Sequence, residues 1–378
     1  MNKLVALINQ FLKDRLNKLG NGPHTKLLPV YQFLKRRVTA AYSLREDNLE
    51  NIKKQFAEKR GEPWVILEYK RITNPEKTIV PIADTHYVTP KTFRLHCKIL
   101  SRNAEVVPLV KLLERIFSGE TISPGTVAIT INCGHLDSYL NGLPLLLEHG
   151  LHASWFVPTA YIGSKTLLLD DMIAVSMKLF SHHKTPIGNF QALHEGMMNS
   201  LSKTLENGIP TQKSIASFLA LYFSVNAENK SLLFSELKQK LAELPSGPPD
   251  FEDFMSWNDL EELNKRGFSV LPMLHTHPVI SNLTKSALEE EIKNCKRSLE
   301  SLDITWNPVI SAPYGIYSDQ SLENLYSAGA ASLLASEHPE PIFTQELDSK
   351  VPVFARVGMC EANSFSRELF LSRLWELI

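Results

Sequence analysis

Three short apolar runs constrain this chain more than any other feature: WVILEY (64–69), VAITI (127–131) and ASWFV (153–157). Runs of this length bounded by turn or polar residues read as strands buried among other elements. Stretches with helical spacing lie between them, such as the one beginning near Asp137 and continuing through Gly142 to His149. A short strand is also expected at Val106 to Val110. Strands alternating with helices imply a parallel sheet or barrel with helices outside. The pattern pauses from Ser164 to Glu252, where LLLDDMIAVSMKLF and SLLFSELKQKLAEL read as helices and SGPPD (246–250) closes the segment. It resumes with SWNDLEELNKRGFSVLPML. The expected organisation is an extension over 1–60 and an α/β body over 61–378, with a helical insertion at about 164–252.

Charge is unevenly spread. Residues 1–45 hold nine of the 40 Lys and Arg but one of the 41 acids, Asp14. Leu4, Leu7, Ile8, Phe11, Leu12, Leu16 and Leu19 fall on one helical face there, among Lys3, Lys13, Arg15 and Lys18. Such a basic amphipathic helix docks on a protein surface or lies on an anionic membrane. The four cysteines form no CxxC, so free thiols in a reducing compartment are expected. With no cleavable leader and no span-length apolar run, the expected location is the cytoplasm, the alternative being the periphery of the inner membrane.

Several short motifs then fall in order. The first strand ends Glu68-Tyr69-Lys70-Arg71; Thr130-Ile131-Asn132-Cys133-Gly134 follows, with a helix and then Ser154-Trp155-Phe156-Val157. FMSWNDLEELNKRGF leads into Met273-Leu274-His275-Thr276-His277-Pro278; Pro313-Tyr314-Gly315 and FARVG, with Arg356, come last. In order and spacing the chain from Trp64 onward resembles the polysaccharide deacetylases with a NodB homology domain. That family opens with Tyr-His-Arg, then carries Thr-Phe-Asp-Asp-Gly, His-Ser/Thr-x-x-His-Pro and a Pro-Tyr-Gly-like motif. The resemblance implies a distorted (β/α) barrel that removes acetyl groups from N-acetylated sugars with a divalent metal, often zinc. The second Asp of the first motif and both His of the second would hold the metal. The first Asp would take a proton from metal-bound water.

The acids are gone. Asn132 stands at the base position and Cys133 at the metal carboxylate. The segment Gly267 to Pro278 fits the pattern Gly-x-x-x-x-x-His-x-x-x-His-Pro without a gap, which puts Met273 at the first imidazole and leaves His277 as the second. An amide has no basic site near neutral pH. The expectation is therefore a catalytically degenerate homologue, not an active enzyme. It would bind a glycan, a glycolipid or a protein partner in bacterial surface-glycan or cell-wall metabolism, with no resident cofactor and no nucleic-acid partner. The alternative is an active carbohydrate N-deacetylase, a hydrolase of non-peptide carbon–nitrogen bonds, with zinc or another divalent metal in a rebuilt site. Cys133, His135, His275 and His277 are zinc-competent types, and Cys133 with Met273 favours copper(I). The bland reading makes Cys133 and Met273 fillers of space left by lost ligands. Cys133 as a nucleophile beside a histidine is a further option.

Other candidates carry paired readings. Asp137 either caps the helix that follows or substitutes as a base. Tyr314 and Gly315 line a substrate groove or form a packing turn. His182 and His183 read as a solvated pair at a helix end. In KSALEEEIKNCKRSLESL, Ser286 and Glu289 read as a capping box, with Leu288, Ile292, Cys295, Leu299 and Leu302 as the buried face.

Overall fold

The computed structural model describes residues 49–78, 86–244, 253–336 and 350–375. The basic helix expected within 1–45 and the SGPPD closure lie outside the described residues. In chain order come α1 (Leu49–Arg60), β1 (Trp64–Tyr69), α2 (Pro90–Asn103), β2 (Glu105–Val106), α3 (Leu109–Ser118), β3 (Thr126–Ile131), α4 (Leu136–Glu148) and β4 (Ser154–Val157). The insertion supplies α5 (Leu169–His182), α6 (Glu195–Ser202), α7 (Gln212–Ser224) and α8 (Ala227–Ala242). The alternation then returns with α9 (Trp257–Lys265), β5 (Ser269–Pro272), α10 (Lys285–Glu300), β6 (Val309–Ser311), α11 (Asp319–Ser327), β7 (Ser332–Ser336), β8 (Val353–Met359), α12 (Glu361–Ser364) and α13 (Arg367–Leu374).

Every ladder is parallel, in the order β5-β4-β3-β1-β8-β7-β6, with β2 beside β3. The end strands β5 and β6 touch, so the sheet is nearly closed as a barrel. The strand expected at 106–110 is shorter and earlier, because Leu109, Leu112 and Leu113 turn inward at helical spacing in α3. Among the described residues no helix is long and apolar enough to cross a membrane.

Strand alternation sorts the core into shells. Val65, Leu67 and Tyr69 pack outward with Val127, Ile129 and Ile131 against the helices. Trp64, Ile66, Ala128, Phe156, Leu271, Met273, Val309, Leu334 and Phe354 fill the barrel interior. The inward columns continue into a buried polar layer at the C-terminal strand ends: Glu68, Thr130, Asn132, Ser311 and Arg356. The insertion has its own apolar cluster around Ile173, Phe180, Phe218, Leu233 and Leu237, to which Tyr314 of the barrel rim adds. In parallel barrels, loops at this end of the strands build the functional face.

On the outer shell His96 is fully buried between Tyr69, whose hydroxyl donates to Nδ1 at 3.0 Å, and the Ser364 carbonyl, which accepts from Nε2–H at 2.7 Å. Its ring stacks on Phe370 at 4.0 Å. Burial pulls this imidazole down to about 4, against the Ser364 bond that favours its charged form. The unfolded chain takes up the proton first, near pH 6.5, so this contribution to stability is complete above that value. It is lost as pH falls toward 4, a decline on the order of 3 kcal/mol by linkage. Denaturant titrations between pH 4 and 7 should show that slope, and His96→Gln should flatten it.

Two capping expectations change. In α10 the cap is Thr284, whose hydroxyl accepts from the Ala287 N–H, so Ser286 already lies inside the helix. The expected buried face holds, with Leu288, Ile292, Cys295 and Leu299 buried and Leu302 packed beside the core. In α4 the cap position is His135, and the Asp137 carboxylate turns to Arg71. A buried guanidinium is a stronger partner for a carboxylate than exposed helix N–H groups.

Candidate functional site

The polar layer is built around a buried ion pair. Arg356 of β8 has no exposed surface, and Glu68 of β1 is 2% exposed. The Arg356 Nη2 donates to Glu68 Oε1 at 2.7 Å and to the Ser311 hydroxyl at 2.9 Å. The same Glu68 oxygen accepts from Ser336 at 2.7 Å and from the Asn132 amide at 2.6 Å. Arg356 Nη1 donates to the Asn132 Oδ1 at 2.8 Å. Arginine can only donate and carboxylate can only accept, so both ends of the Asn132 amide are fixed by chemistry. Burial pushes the Glu68 carboxyl up, but Arg356, Lys70 and the bonds from Ser336 and Asn132 outweigh it and hold it below its ordinary value. The counter-ion of Arg356 is thus on β1, and position 132 contributes a neutral amide.

The chain leaves β3 through two left-handed residues, Cys133 (φ 66°) and Gly134 (φ 64°). A Cβ at Gly134 would stand 3.0 Å from both Ile162 and Val157, so glycine meets a backbone demand and a steric one. Leu274 (φ 63°), His277 (φ 56°) and Tyr314 (φ 60°) are also left-handed. Non-glycine residues pay roughly 1–2 kcal/mol for that conformation, and such strain collects where a site's geometry is imposed. Here it turns Cys133, His277 and Tyr314 to one cavity.

That cavity holds about 350 Å³ and is walled by Lys70, Arg71, Asn132, Cys133, His135, Met273, His277, Tyr314 and Ser336 from the barrel. Leu168, Asp170, Asp171, Ala174 and Leu219 close it from the insertion. The size suits a small polar ligand or one sugar unit. On its floor Cys133 Sγ stands 3.9 Å from Met273 Sδ and 3.8 Å from His277 Nε2. His277 is 5% exposed, its ring lies 4.7 Å from that of Tyr314, and among the described residues its Nδ1 has no hydrogen-bond partner. Burial, aided by the charge of His135, pulls the His277 imidazole down to about 3, so it is neutral across the physiological range.

One wall is acidic. The Tyr314 hydroxyl donates to Asp170 Oδ1 at 3.1 Å and lies 3.3 Å from the Tyr222 hydroxyl. Burial raises the Asp170 carboxyl above its usual range. Burial and the neighbouring Asp170 push Asp171 up to about 7. Behind this wall Arg71 clamps Asp137, at 2.7 Å, and Asp253. Asp253 in turn accepts from His135 Nδ1–H at 2.9 Å. Burial and Arg71 oppose a charge on His135, but Asp253 and the Cys133 thiol overcome them and raise it to about 10. His135, Asp171 and Asp253 offer ligand atoms within 4.8 Å of one another. Both Asp253 oxygens are already bound to cations, so this trio is a closed ion-pair network rather than an open coordination site.

The sequence candidates divide accordingly. Asn132, Cys133, His135, Met273, His277 and Tyr314 line the cavity; Arg356 lies beneath it, and Asp137 sits behind Arg71. His275 turns away: its Nδ1 pairs with the Thr159 hydroxyl at 2.9 Å, and its backbone N–H donates to Glu291. His182 and His183 pack ring against ring at the end of α5, outside the cavity. Sequence reasoning placed Glu68 and Arg71 in the opening motif without giving either a role, and missed Asp170, Asp171 and Asp253. A signal for Glu68 existed, since a carboxylate inside the apolar run WVILEY needs a buried partner. The acids of α5 read only as ordinary first-turn residues.

Barrel and site position define the class: this is the polysaccharide deacetylase fold. No family model matches the sequence, and no curated protein matches it. Among solved structures the chain is similar to the Streptococcus pyogenes deacetylase PplD in complex with acetate. The TM-score is 0.50 at 12% identity, over 82% of this chain and 97% of that one. It is similar also to a polysaccharide deacetylase from Bacillus cereus, at TM-score 0.51 and 14% identity, over 82% of this chain and 68% of that one. The donors present do not fit the divalent metal that the motifs imply. A thiol, a thioether and one imidazole replace a carboxylate and two imidazoles, and the neighbouring base position is an amide held on both sides.

Proposed function

We propose that the protein is a glycan-binding, hydrolytically silent form of the deacetylase barrel, taking a sugar unit of a surface or cell-wall glycan or glycolipid into the cavity of Tyr314 and Asp171. The observation that carries this reading is the fixed amide of Asn132. Metal-assisted amide hydrolysis needs a carboxylate to take a proton from water. At that position the side chain donates to Glu68 and accepts from Arg356, and an amide offers no basic atom there. Meanwhile the aromatic and acidic walls persist, with Tyr314 held by Asp170 and the Asp171 carboxyl available to ligand hydroxyls.

Calorimetric titration of the full chain with chito-oligosaccharides, in N-acetylated and free-amine forms, tests this. Binding is expected in the presence of chelator, with no acetate released over hours. Tyr314→Ala is expected to weaken binding roughly tenfold or more, the loss of one buried aromatic contact. Acetate release that a chelator stops would overturn the reading, and so would an absence of binding to both forms.

A further inference from the structure

The three side chains at the floor of the cavity still converge although their chemistry has changed. Cys133 Sγ lies 3.9 Å from Met273 Sδ and 3.8 Å from His277 Nε2. Metal arms of about 2.3 Å to sulfur and about 2.0 Å to nitrogen, opened to roughly 120°, give edges of roughly 3.7–4.0 Å. We propose that Cys133, Met273 and His277 form a trigonal site for a soft monovalent cation, copper(I), in place of a divalent ion. Sulfur atoms in ordinary van der Waals contact stand about as far apart, so chemistry and charge must separate the two cases.

Softness comes first. Thiolate and imidazole serve zinc and copper(I) alike, but a thioether is a soft donor that favours copper(I). Of three positions that would otherwise carry hard or borderline ligands, two here carry sulfur, and neither is replaced by a residue unable to ligate. Charge comes second. When the ion binds, the Cys133 proton leaves to solvent, and thiolate plus copper(I) is neutral. Thiolate plus zinc would leave a net positive charge in a buried site that already feels the Arg356 guanidinium. The carboxylate beside it, Glu68, is bound to that arginine. A neutral complex also matches the surroundings, because Met273 and Cys133 sit on the apolar barrel interior with Phe156, Leu271 and Leu334. Third, His277 is buried with its Nε2 3.8 Å from the Cys133 sulfur, so the nitrogen that faces the thiol is placed to serve as the third donor. The proposal does not rest on glycan binding, which uses the walls above.

The experiment is an anaerobic copper(I) titration of the full chain in competition with bicinchoninate, alongside a zinc titration with a chromophoric chelator. One copper(I) per chain is expected, held at least roughly a hundredfold more tightly than zinc. Cys133→Ser should cost at least roughly a hundredfold in copper(I) affinity, and Met273→Leu, which conserves volume, roughly tenfold. A Cys97→Ala, Cys295→Ala, Cys360→Ala triple variant should leave the affinity unchanged, and melting curves report whether each variant folds. X-ray absorption of the loaded protein should show a three-coordinate site with two sulfurs. The proposal is overturned if Cys133→Ser binds copper(I) as the parent does, if zinc is held as tightly as copper(I), or if no copper(I) is retained.

Discussion

Glu68→Gln should destabilise the protein by about 3–5 kcal/mol, the cost of leaving one member of a buried ion pair without its partner. The reason is specific to this chain. Arg356 is fully buried, its Nε finds no acceptor among the described residues, and its other bonds there go to the neutral Asn132, Ser311 and Thr130. Glu68 alone among these partners brings a negative charge. Asn132→Asp by itself should also destabilise, because two carboxylates would then share one guanidinium and one must stay protonated. Combined, Glu68→Gln and Asn132→Asp move the charge from β1 to β3 and should recover much of the loss. Urea unfolding of the two single variants and the double variant gives the coupling, expected to exceed about 1 kcal/mol in the favourable direction. A Glu68→Gln protein as stable as the parent would remove the ion pair from any structural role.

The second large effect is a gain of activity. Asn132→Asp, Cys133→Asp and Met273→His together return a proton acceptor and a carboxylate–imidazole–imidazole donor set, with His277 already in place. Glu68→Gln in the same chain keeps Arg356 paired with a single carboxylate. The combined variant is expected to bind zinc and to release acetate from N-acetylated oligosaccharides. The parent should show none, and the rate should exceed the parent's by at least roughly a thousandfold, since base and metal each contribute orders of magnitude. Acetate assays and elemental analysis of the same preparation check both halves. Zinc uptake without acetate release would mean that the cavity walls no longer place an N-acetyl group over the metal. Failure to take up zinc would mean that the strand ends have moved.

The pattern of the site was visible before the fold was. A gapless fit put Met273 rather than His275 beside the first motif, and in the structure the Met273 sulfur meets Cys133 while His275 bonds Thr159. Asp137 shows the limit of local reasoning. An acid at a helix start has a local use, so the sequence favours a cap, but Arg71 lies 66 positions away and takes the carboxylate.

By itself the sequence determined the alternation of buried strands with helices, hence a parallel sheet or barrel, and the absence of acids from the positions that the motifs mark. These follow from local apolar periodicity and from residue identity at fixed spacing, which the chain carries without reference to distant parts. Only the tertiary structure decided where the missing charge went. Glu68 meets Ser336 across 268 positions, and Arg356 meets Asn132 across 224. Likewise, only folding brought the acids of the inserted α5 over the barrel mouth to Tyr314. Burial makes an unpaired charge costly, so each buried carboxylate demands a partner, but which distant residue answers is fixed by the register of the closed sheet.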